Sequence, residues 1–528
     1  MIQDFLADCR DLLSPGRVVT GEGLARASRN VADIARRVPA LVRPQTQEEV
    51  RALVLLAVKH KTPLSPISRG HNWGLGSKLP CADGTVILDL SDLDRILEYS
   101  AEYGCLVIEP GVTQARAGEF LRHRGAPYYL DATGSGAQTS VCGNALERGV
   151  AYNTLRCEHV RPLKAISGTG EILYFGRNQG ERPGPDHEPE RPEILRHACG
   201  PDAAALLPQS NFAVVLEAAV HLQPKPQAFA SFTIAVREEG DLPDCVQILR
   251  ERIRQGDVGG VPHIFDRERL YSGLAPLLTR EMRARGRSPS REEAQAALAR
   301  LCPGSWWMVG SLQGSREAVR ARASAIRRAF KGAASVSFMG PRKERVLSGI
   351  LGLFKNGAAA MVFRATRLLR ELPLGVAGDD SLFSVAWPFA QNMDFAAPPD
   401  PDESPTGYRF VAPGVPLGAS SVRAFLALLS RFRDEPDLRL AASVNPMNHA
   451  LGEGVVSFAY PRTPEGLSRA GRAERAFIGE LTARGFPLLR LGIHQMDAQS
   501  PMNPALLLRL KQAFDPAGII APGRYLGR

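Results

Sequence analysis

The chain has 528 residues, of which 44% are hydrophobic and 23% are charged, and these proportions fit a globular protein and exclude a disordered or fibrous one. A chain of this length is expected to form more than one domain, because a single hydrophobic core stops growing well below this size. The net charge is +10, but the arginines are scattered among acids and aromatic residues make up only 7%, so a nucleic-acid-binding protein is not expected.

The first predicted elements are a helix, a short strand and a glycine-rich loop. TQEEVRALVLLAVKHK (46–61) has helical periodicity and opens with Thr46 as its N-cap, and TPLSPIS (62–68) follows as a strand. The loop SRGHNWGLGSKLP (68–80) comes next. Glycine lets successive backbone N–H groups converge on a phosphate, so this loop is predicted to hold a phosphate-bearing cofactor.

Further strand patterns and a second glycine-rich passage complete the first domain. GTVILDLSDLDRILEYS (84–100) and YGCLVIEPGVTQARAGEFLRHRG (103–125) each contain a β-type apolar run, and a helix ends the second. The passage 130–153 is again rich in glycine, and PQSNFAVVLEAAVHLQPKP (208–226) alternates as a strand before a Pro-rich stretch. We place a domain boundary near residue 225. The polar segment 176–193 is predicted to be a flexible surface loop.

A second domain of mixed helices and strands is predicted from residue 226 to residue 484. Strand and helix patterns alternate there, and RFRDEPDLRLAASVNP and GEGVVSFAYPR are predicted to form neighbouring strands. A last helix stops at Asp515 and Pro516, within a C-terminal segment 485–528. The chain is therefore predicted to be of the α+β class, with its first domain at 1–225 and its second at 226–484.

The cysteines and the apolar runs bear on the compartment. The eight cysteines are widely spaced and include no CxxC pair, so we interpret them as free thiols and expect no metal site. The stretch MIQDFLADCRDLL has acids where a signal peptide needs basic and then apolar residues, and no apolar run approaches the length of a membrane span. The sequence therefore predicts a cytoplasmic protein that is not attached to a membrane.

Several common cofactor and catalytic motifs are absent from the sequence. Neither glycine passage has the GxGxxG spacing of a Rossmann fold, and the chain has no P-loop, HExxH or GxSxG motif. Ordinary dinucleotide binding, metal catalysis and nucleophilic-serine catalysis are therefore not expected.

The order of the motifs resembles a known group of flavoproteins. PISRGHNWGLGSKLP, VIEPGVT, TSVCGNALERGVAYN, PQSNFAVV and FDPAGIIAPGRY follow one another as in the vanillyl-alcohol oxidase and p-cresol methylhydroxylase family. The resemblance implies a PCMH-type FAD-binding domain of two α+β halves, with its core at about 38–225. It also implies a cap domain whose large antiparallel sheet, flanked by helices, covers the isoalloxazine, and a C-terminal segment that returns to the FAD domain.

The same resemblance implies which residues hold FAD. The loop glycines are expected to let backbone N–H groups approach the pyrophosphate, while GNALERG and QSN hold the flavin and its ribityl or adenine side. The expected cofactor-binding residues are Ser68, Arg69, Gly70, His71, Asn72, Gly74, Gly134, Ser140, Gly143, Asn144, Gly149, Asn211, Val215 and Arg524.

His71 carries a more specific hypothesis. Related flavoenzymes with Gly-His in this loop bond a histidine ring nitrogen to the flavin 8α-methyl carbon, and His71 occupies that position in RGHNWG. A second bond from Cys142 is not expected, because that residue is out of register with the thiol of bicovalent relatives. The alternative is that His71 only hydrogen-bonds the loop backbone, as single histidines usually do.

The substrate site departs from the phenol-oxidising members of the family. Leu489 and Arg490 stand where a Tyr-Arg pair binds the phenolate, and Ser135 stands where an Asp assists at flavin N5. Arg490 is expected to bind a carboxylate or to stabilise negative charge on the reduced flavin, and a surface arginine is the alternative. His494 and Tyr152 are further catalytic candidates as acid or base, although each is individually more often structural.

These features predict an FAD-dependent oxidoreductase that takes a hydride from a small organic molecule and passes electrons to O2 or another acceptor. The specific hypothesis is oxidative decarboxylation in a natural-product pathway, with Arg490 or another basic group holding the carboxylate. The alternative is oxidation of an alcohol, an amine or a para-alkyl phenol without carbon loss. An FAD-binding carrier and a nucleic-acid-binding protein are weaker alternatives. A homo-oligomer is expected because dimers are common among relatives.

Overall fold

The first part of the fold is a small sheet packed against helices. The computed structural model describes residues 2–177, 179–180, 182, 184–197, 199–353, 357–376, 378–379, 382–390 and 398–526. The elements of the first part are α1 (Ile2–Leu12), β1 (Val18–Val19), α2 (Gly21–Ala27), β2 (Leu41–Val42), α3 (Gln47–His60), β3 (Leu64–Ile67) and β4 (Val86–Asp89). The strands lie in the order β1-β2-β4-β3, in which β2, β4 and β3 are parallel and β1 is antiparallel to β2.

The predicted helix, strand and loop are present in this part. The side chain of Thr46 accepts a hydrogen bond from the Glu49 backbone N–H at 3.1 Å and caps α3. The helix ends at Lys61, whose φ of 51° is left-handed. Its apolar face, including Val50 and Leu53, is buried in the core that also contains residues of α1 and β4. The glycine-rich loop therefore leaves the carboxyl end of β3 on a rigid support.

The second part is an antiparallel sheet with short helices. Its elements are β5 (Ile96–Ser100), β6 (Cys105–Ile108), α4 (Gln114–His123), β7 (Tyr128–Tyr129), α5 (Val141–Leu146), α6 (Arg156–His159), β8 (Val160–Ser167), β9 (Ile172–Tyr174), β10 (Ala213–His221) and β11 (Gln223–Pro224). The sheet order is β5-β6-β10-β8-β9, and β7 pairs with β11 beside it. Strand β10 is central and is buried from Val214 to Val220, which explains its nearly continuous apolar run.

The third part is built on a large antiparallel sheet. Its elements are β12 (Ala228–Val236), α7 (Leu242–Arg254), β13 (His263–Asp266), α8 (Arg267–Arg283), α9 (Arg291–Leu301), β14 (Trp306–Gly314), α10 (Arg316–Ala329), β15 (Ser335–Met339), α11 (Pro341–Leu353), α12 (Ala358–Ala365), α13 (Arg367–Glu371), α14 (Phe383–Ala386), β16 (Thr406–Pro416), α15 (Ala419–Arg433), β17 (Arg439–Pro446), β18 (Leu451–Pro461), α16 (Pro464–Ala483), β19 (Leu488–Arg490) and α17 (Pro504–Phe514).

The strands of this sheet lie in the order β15-β12-β14-β13-β17-β18-β16-β19. Buried side chains such as Phe232, Trp306 and Phe458 join the sheet to α7, α15 and α16 in one apolar core. Strands β17 and β18 pair directly, as predicted. The α+β class and the large antiparallel sheet flanked by helices are confirmed.

The C-terminal segment runs from the large sheet back to the first part. Strand β19 pairs with β16 at one edge of the large sheet. Farther along, the Leu64 N–H donates to the Ile519 C=O at 2.7 Å, and the Ala521 N–H donates to the Leu64 C=O at 2.7 Å. The carboxylate of Asp515 accepts hydrogen bonds from the backbone N–H groups of Ile519 and Ile520 and holds the turn. Residues 519–521 are therefore fixed beside β3, the strand that leads into the glycine-rich loop.

The polar segment 176–193 differs from its prediction. Residues 178, 181 and 183 lie outside the described residues, but the Arg182 side chain is only 7% exposed. It forms ion pairs with Glu98 at 3.2 Å, Glu193 at 3.1 Å and Glu217 at 3.2 Å. The expectation of a flexible surface loop was wrong for Arg182 and Glu193, because buried carboxylates on β5 and β10 draw this charged segment inward.

Strand pairing changes from the smaller sheets to the large sheet between β11 and β12. This change lies beside the predicted boundary near 225, whose position, like the division at 484, stays a prediction. None of the described helices is long and apolar enough to cross a membrane.

Candidate active site

The glycine-rich loop after β3 forms a series of tight turns. The N–H groups of Leu75 and Ser77 each donate to the Asn72 C=O at 3.1 Å, and the Leu79 N–H donates to the Gly76 C=O at 2.9 Å. One side of the loop forms a wall of the cleft between the three parts, which we call the central cleft. The loop residues on this wall are Ser68, Arg69, Gly70, His71, Asn72, Trp73, Ser77 and Leu79.

Gly74 of the same loop faces the large sheet instead of the central cleft. Its φ is 77°, and a β-carbon there would lie 2.9 Å from the Phe410 Cβ and 3.1 Å from the Tyr408 Cδ1. Gly74 does not line the cleft. It was expected to bind the cofactor, but its role in the fold is to let β16 cross the loop at close range.

The second glycine-rich passage meets the first at Gly143. Ser140 caps α5, since its Oγ accepts a hydrogen bond from the Gly143 N–H at 2.8 Å while donating to the Pro110 C=O at 2.6 Å. A β-carbon at Gly143 would collide with the Ser68 Oγ. The absence of a side chain at Gly143 therefore brings the two loops into one continuous wall, which Asn144 also lines.

Two other expected cofactor-binding residues support the wall from behind. The Gly149 N–H donates to the Asn144 C=O at 2.8 Å, and a side chain at 149 would collide with the Asn144 side chain. The Asn211 Nδ2 donates to the Ala521 C=O at 3.2 Å and ties down the C-terminal segment. Neither Gly149 nor Asn211 lines the central cleft. The structure shows their contact with residues beside the cleft, and their direct contact with the cofactor stays a prediction.

The remaining expected residues lie on the cleft, together with several that the sequence did not single out. Gly134, Val215 and Arg524 line it. The unpredicted lining residues that bear on its chemistry are Glu147, Gln209, Ser210, Arg269, Tyr408 and Phe410. Gln209 and Ser210 lie in the QSN motif, so the motif identified the region but not the residues. Arg269 belongs to no motif and sits in an ordinary helix pattern, so no sequence signal could have found it.

The described lining of the central cleft carries a positive charge. Glu147 accepts hydrogen bonds from Arg524 Nη2 at 2.6 Å and from the Tyr525 hydroxyl at 2.9 Å. Burial alone would raise the pKa of Glu147, but the charges of Arg524 and Arg490 hold that pKa below its ordinary value. Against this one carboxylate, the described lining has the four arginines Arg69, Arg269, Arg490 and Arg524. The cleft therefore favours anionic ligands.

The cleft also has unsatisfied polar groups of the kind that FAD would satisfy. His71 Nδ1, Asn144 Oδ1 and Arg490 Nε are buried without a hydrogen-bond partner. Buried polar atoms in proteins are normally paired, so unpaired atoms on residues that line a cleft are candidates for contact with a ligand. The glycine backbone at positions 70 and 143 on the cleft wall and the positive charge suit a pyrophosphate. The residues present therefore fit FAD.

His71 is held as a neutral ring on the cleft wall. Its ring packs against Trp73, with the ring centroids 4.2 Å apart and the planes tilted by 44°. Burial, reinforced by the charges of Lys78 and Arg69, lowers the pKa of His71 to about 3. A neutral imidazole has one unprotonated nitrogen with a free electron pair, so His71 has the electronic form that a nucleophile requires.

Arg490 lies where the loop, the large sheet and the cleft meet. Its Nη2 donates to Asn72 Oδ1 at 3.2 Å, and its Nη1 lies 3.8 Å from Glu453 Oε1. The guanidinium carbon is 5.8 Å from the centroid of the Phe410 ring, and the side chain is only 14% exposed. Arg490 is therefore not a surface arginine.

The other two catalytic candidates lie outside the cleft lining. His494 Nε2 is hydrogen-bonded to Glu474 Oε1 at 2.8 Å, and Glu474 also pairs with Arg409 at 2.8 Å. The Tyr152 ring packs against His263, with centroids 4.6 Å apart, and a β-carbon at position 134 would lie 3.3 Å from its hydroxyl. Neither His494 nor Tyr152 lines the central cleft among the described residues. Their roles as acid or base stay predictions.

The chain is similar to several FAD-linked oxidoreductases. A family model described as an FAD binding domain matches residues 38–176. The 1'-carboxy-chondrochloren decarboxylase of Chondromyces crocatus is 30% identical, over 99% of this chain and 97% of that protein. The 4-cresol dehydrogenase (hydroxylating) flavoprotein subunit of Pseudomonas putida is 25% identical, over 94% and 89%. The structure of the 4-ethylphenol oxidase from Gulosibacter chungangensis with isoeugenol has a TM-score of 0.83 at 21% identity and covers 100% of this chain and 97% of that chain.

Proposed function

Because the chain belongs to the vanillyl-alcohol oxidase and p-cresol methylhydroxylase family of FAD-dependent oxidoreductases, we propose that it catalyses the oxidative decarboxylation of a small organic acid in a natural-product pathway. A relative that matches it end to end is named as a decarboxylase. The observation that carries the proposal is the positive charge of the central cleft. Its described lining has four arginines and one carboxylate, Glu147, which is ion-paired with Arg524. The FAD pyrophosphate accounts for part of this charge, and an acidic substrate accounts for the rest.

Decarboxylation suits this cleft, because the bases in its described lining are His71, which we propose below to be bonded to FAD, and Glu147, which is paired with Arg524. FAD, when bound, supplies the acceptor for a hydride and is reoxidised by O2 or another acceptor. The hydride leaves from the carbon next to the one that bears the carboxylate. The bond to the carboxyl carbon then breaks, CO2 departs, and the electron pair of that bond becomes the π pair of a new C=C bond. Atoms and electrons balance without transfer of a proton to the protein. Oxidation of an alcohol or an amine would also require removal of an O–H or N–H proton.

The residue at position 135, where phenol-oxidising members of the family have an aspartate, also supports decarboxylation. Ser135 lines the cleft, and its hydroxyl lies 2.7 Å from Thr133 Oγ1. A serine hydroxyl is not a base near neutral pH, so this position can bind or orient a ligand but cannot take its proton. The part of the protein is then to hold the acid in one orientation and to exclude water, with Phe410 and Tyr408 as apolar walls.

We also propose that His71 is bonded to FAD. The support is its neutral, buried ring, whose Nδ1 has no partner in a cleft that fits the cofactor. In this linkage a C–N bond to the 8α-methyl carbon replaces one N–H and one C–H bond. The two electrons and two protons released convert O2 to H2O2, so the step balances with O2 as the oxidant. A bond of this kind would keep the cofactor from dissociating.

Oxidation of a para-alkyl phenol without carbon loss is the second candidate. Similarity to the 4-cresol dehydrogenase subunit favours it. Arg490 favours it too, because this cleft residue occupies the position of the arginine in the Tyr-Arg pair with which relatives bind the phenolate. The missing tyrosine at Leu489 and the serine at 135 weaken it.

The two candidates predict different products. The holoenzyme would be incubated with 3-(4-hydroxyphenyl)propanoate and, separately, with 4-ethylphenol. Release of one CO2 per two electrons transferred, with 4-vinylphenol as product, would support decarboxylation. A product of the acid that keeps its carboxyl carbon would refute it, and turnover of 4-ethylphenol alone would favour the second candidate. Yellow protein that bleaches with neither compound would favour an FAD carrier. Cytoplasmic residence and a homo-oligomeric state stay predictions.

A further inference from the structure

Arg269 of α8 lies on the central cleft without a carboxylate partner. Its Nη1 donates to the Tyr408 hydroxyl at 2.9 Å, and its Nη2 donates to the carbonyl groups of Ala441 at 3.4 Å and Val455 at 3.2 Å. Its Nε is buried without a hydrogen-bond partner. Among the residues that the structure describes, no carboxylate lies within ion-pairing distance of this guanidinium. Its hydrogen bonds within the described part of the chain all go to neutral acceptors.

The acidic residues that precede Arg269 lie close enough for its charge to oppose the rise that burial causes in their pKa values, but their ion pairs are with other arginines. Asp266 accepts the backbone N–H groups of Arg269 and Ala442 and lies 3.5 Å from Arg433 Nη2. Glu268 lies 3.7 Å from Arg291 Nη2. A buried cation is normally paired with an opposite charge, because desolvation is costly. A guanidinium that lines a cleft without an ion pair, with its Nε–H and one Nη1–H unused, is therefore suited to an anion that enters from outside.

Arg490 differs from Arg269 in this respect. Its Nη1 lies 3.8 Å from the buried carboxylate of Glu453, and its charge also acts on Glu147. Arg490 thus already faces negative charge within the protein. Arg269 faces Asp266 and Glu268 only at longer range and forms no ion pair with either among the described residues, so its N–H groups are the more available to an incoming carboxylate.

The two arginines stand at the two ends of an aromatic wall. Tyr408 and Phe410 are two positions apart on β16. Their side chains therefore lie on the same face of the strand, and their Cα atoms are about 7 Å apart. Both residues line the cleft. Arg269 contacts the Tyr408 end, and Arg490 lies over the Phe410 ring. An aromatic substrate that packs on this wall would have Arg269 at one end and Arg490 at the other.

We infer that Arg269 is a specificity-determining residue, whose guanidinium binds the carboxylate of an aromatic acid, while Arg490 faces the opposite end of the substrate. The inference rests on the proposed function and deepens it. A charge-assisted hydrogen bond from this guanidinium orients the carboxylate.

Binding of matched probes tests this assignment without turnover. The probes are 4-hydroxycinnamate and its amide, which share a ring and chain length and, being already unsaturated, have no hydride to give up. Dissociation constants are measured from the flavin absorbance change in the holoenzyme and in Arg269→Gln, Arg490→Gln and Arg267→Gln. Arg267 is exposed on the same helix and donates only to the Gly304 C=O, so its variant is the matched control.

Wild type and Arg267→Gln are expected to bind the acid more tightly than the amide. Arg269→Gln is expected to weaken binding of the acid roughly tenfold to a hundredfold, the range for a hydrogen bond to a charged group, and to leave the amide within about threefold. Arg490→Gln is expected to weaken both probes alike. Arg269→Lys keeps the charge and is expected to retain part of the preference for the acid. If Arg269→Gln does not retain FAD, the preference of Arg269→Lys for the acid over the amide is the measurement that tests the role of Arg269.

Three outcomes would overturn the inference. The first is a wild-type enzyme that binds both probes equally, and the second is an equal loss of both probes in Arg269→Gln. The third is loss of the acid preference in Arg490→Gln alone. Each can occur while 3-(4-hydroxyphenyl)propanoate still yields CO2, which would leave the proposed function intact. Conversely, an acid preference that depends on Arg269 with no CO2 release would support the inference and refute the decarboxylation.

Discussion

Gly74 of the glycine-rich loop packs so closely on Phe410 of the large sheet that a β-carbon at position 74 would lie 2.9 Å from the Phe410 Cβ. The left-handed φ of 77° adds a second reason for glycine. We expect Gly74→Ala to cost about 1–2 kcal/mol of backbone strain and about 1–3 kcal/mol more from overpacking. It should lower both the melting temperature and the FAD content, because the loop that carries His71 would shift away from β16.

Gly84→Ala separates the two costs. Gly84 has nearly the same φ, 78°, but no atom lies within 4 Å of the β-carbon that an alanine would add. This variant should therefore show the strain alone and keep full FAD content. Equal melting temperatures and equal FAD contents in the two variants would mean that contact with β16 does not hold the loop.

His71→Ala tests the covalent link to FAD. If the link exists, acid-denatured wild type keeps its yellow colour in the precipitated polypeptide, while His71→Ala releases it to the supernatant. The variant is still expected to bind FAD before denaturation, because the lining residues Ser68, Gly143 and Asn144 are unchanged. The matched control is His123→Ala, since His123 is an exposed histidine at the end of α4. Release from wild type, or retention in His71→Ala, would count against the bond.

Arg182→Met tests the buried charge cluster. The variant keeps much of the side-chain volume but leaves the carboxylates of Glu98, Glu193 and Glu217 without their shared cation. Removal of one partner from a buried ion-pair cluster costs about 3–5 kcal/mol, so a large fall in melting temperature is expected. Arg254→Met removes an exposed pair with Glu251 on α7 and should leave the melting temperature unchanged. Equal effects would show that Arg182 is not buried as described.

The sequence predicted those parts of the fold that local chemistry decides. The cap at Thr46, the apolar spacing of α3 and the alternation in β17 and β18 depend on neighbouring residues, and the structure has them as expected. The two glycine loops were likewise recognised from short motifs. Their meeting at Gly143 and Ser68 is a contact between distant segments, but the family resemblance was enough to imply it.

Contacts between distant parts of the chain account for the features that were missed. Arg182 lies in a stretch rich in proline and charge, which is typical of solvent-exposed loops, and the carboxylates that bury it lie on separate elements. The sequence around Gly74 is typical of a phosphate-binding loop, and only its contact with β16 in the folded protein shows why glycine is required there. Arg269 is one arginine among many on helices, and only the packing of α8 on β17 and β18 brings it to the cleft.

His263 gives the protein a specific dependence of stability on pH. Burial lowers the pKa of His263 to about 4, its Nε2 is buried without a partner, and its ring packs on Tyr152. Because the folded-state pKa lies below the ordinary value of about 6.5, the unfolded chain takes up this proton first as the pH falls. The stability from His263 is therefore fully present above about pH 6.5 and is lost between there and about pH 4. His263→Gln, which cannot titrate, should lose roughly 1–3 kcal/mol less folding stability over this pH window than wild type.

The measurement is the melting temperature at intervals between pH 7.5 and pH 4, with His123→Gln as the exposed control. Wild type and the control should fall in parallel while His263→Gln falls less steeply; three parallel curves would show that His263 is protonated in the folded protein as readily as in the unfolded chain.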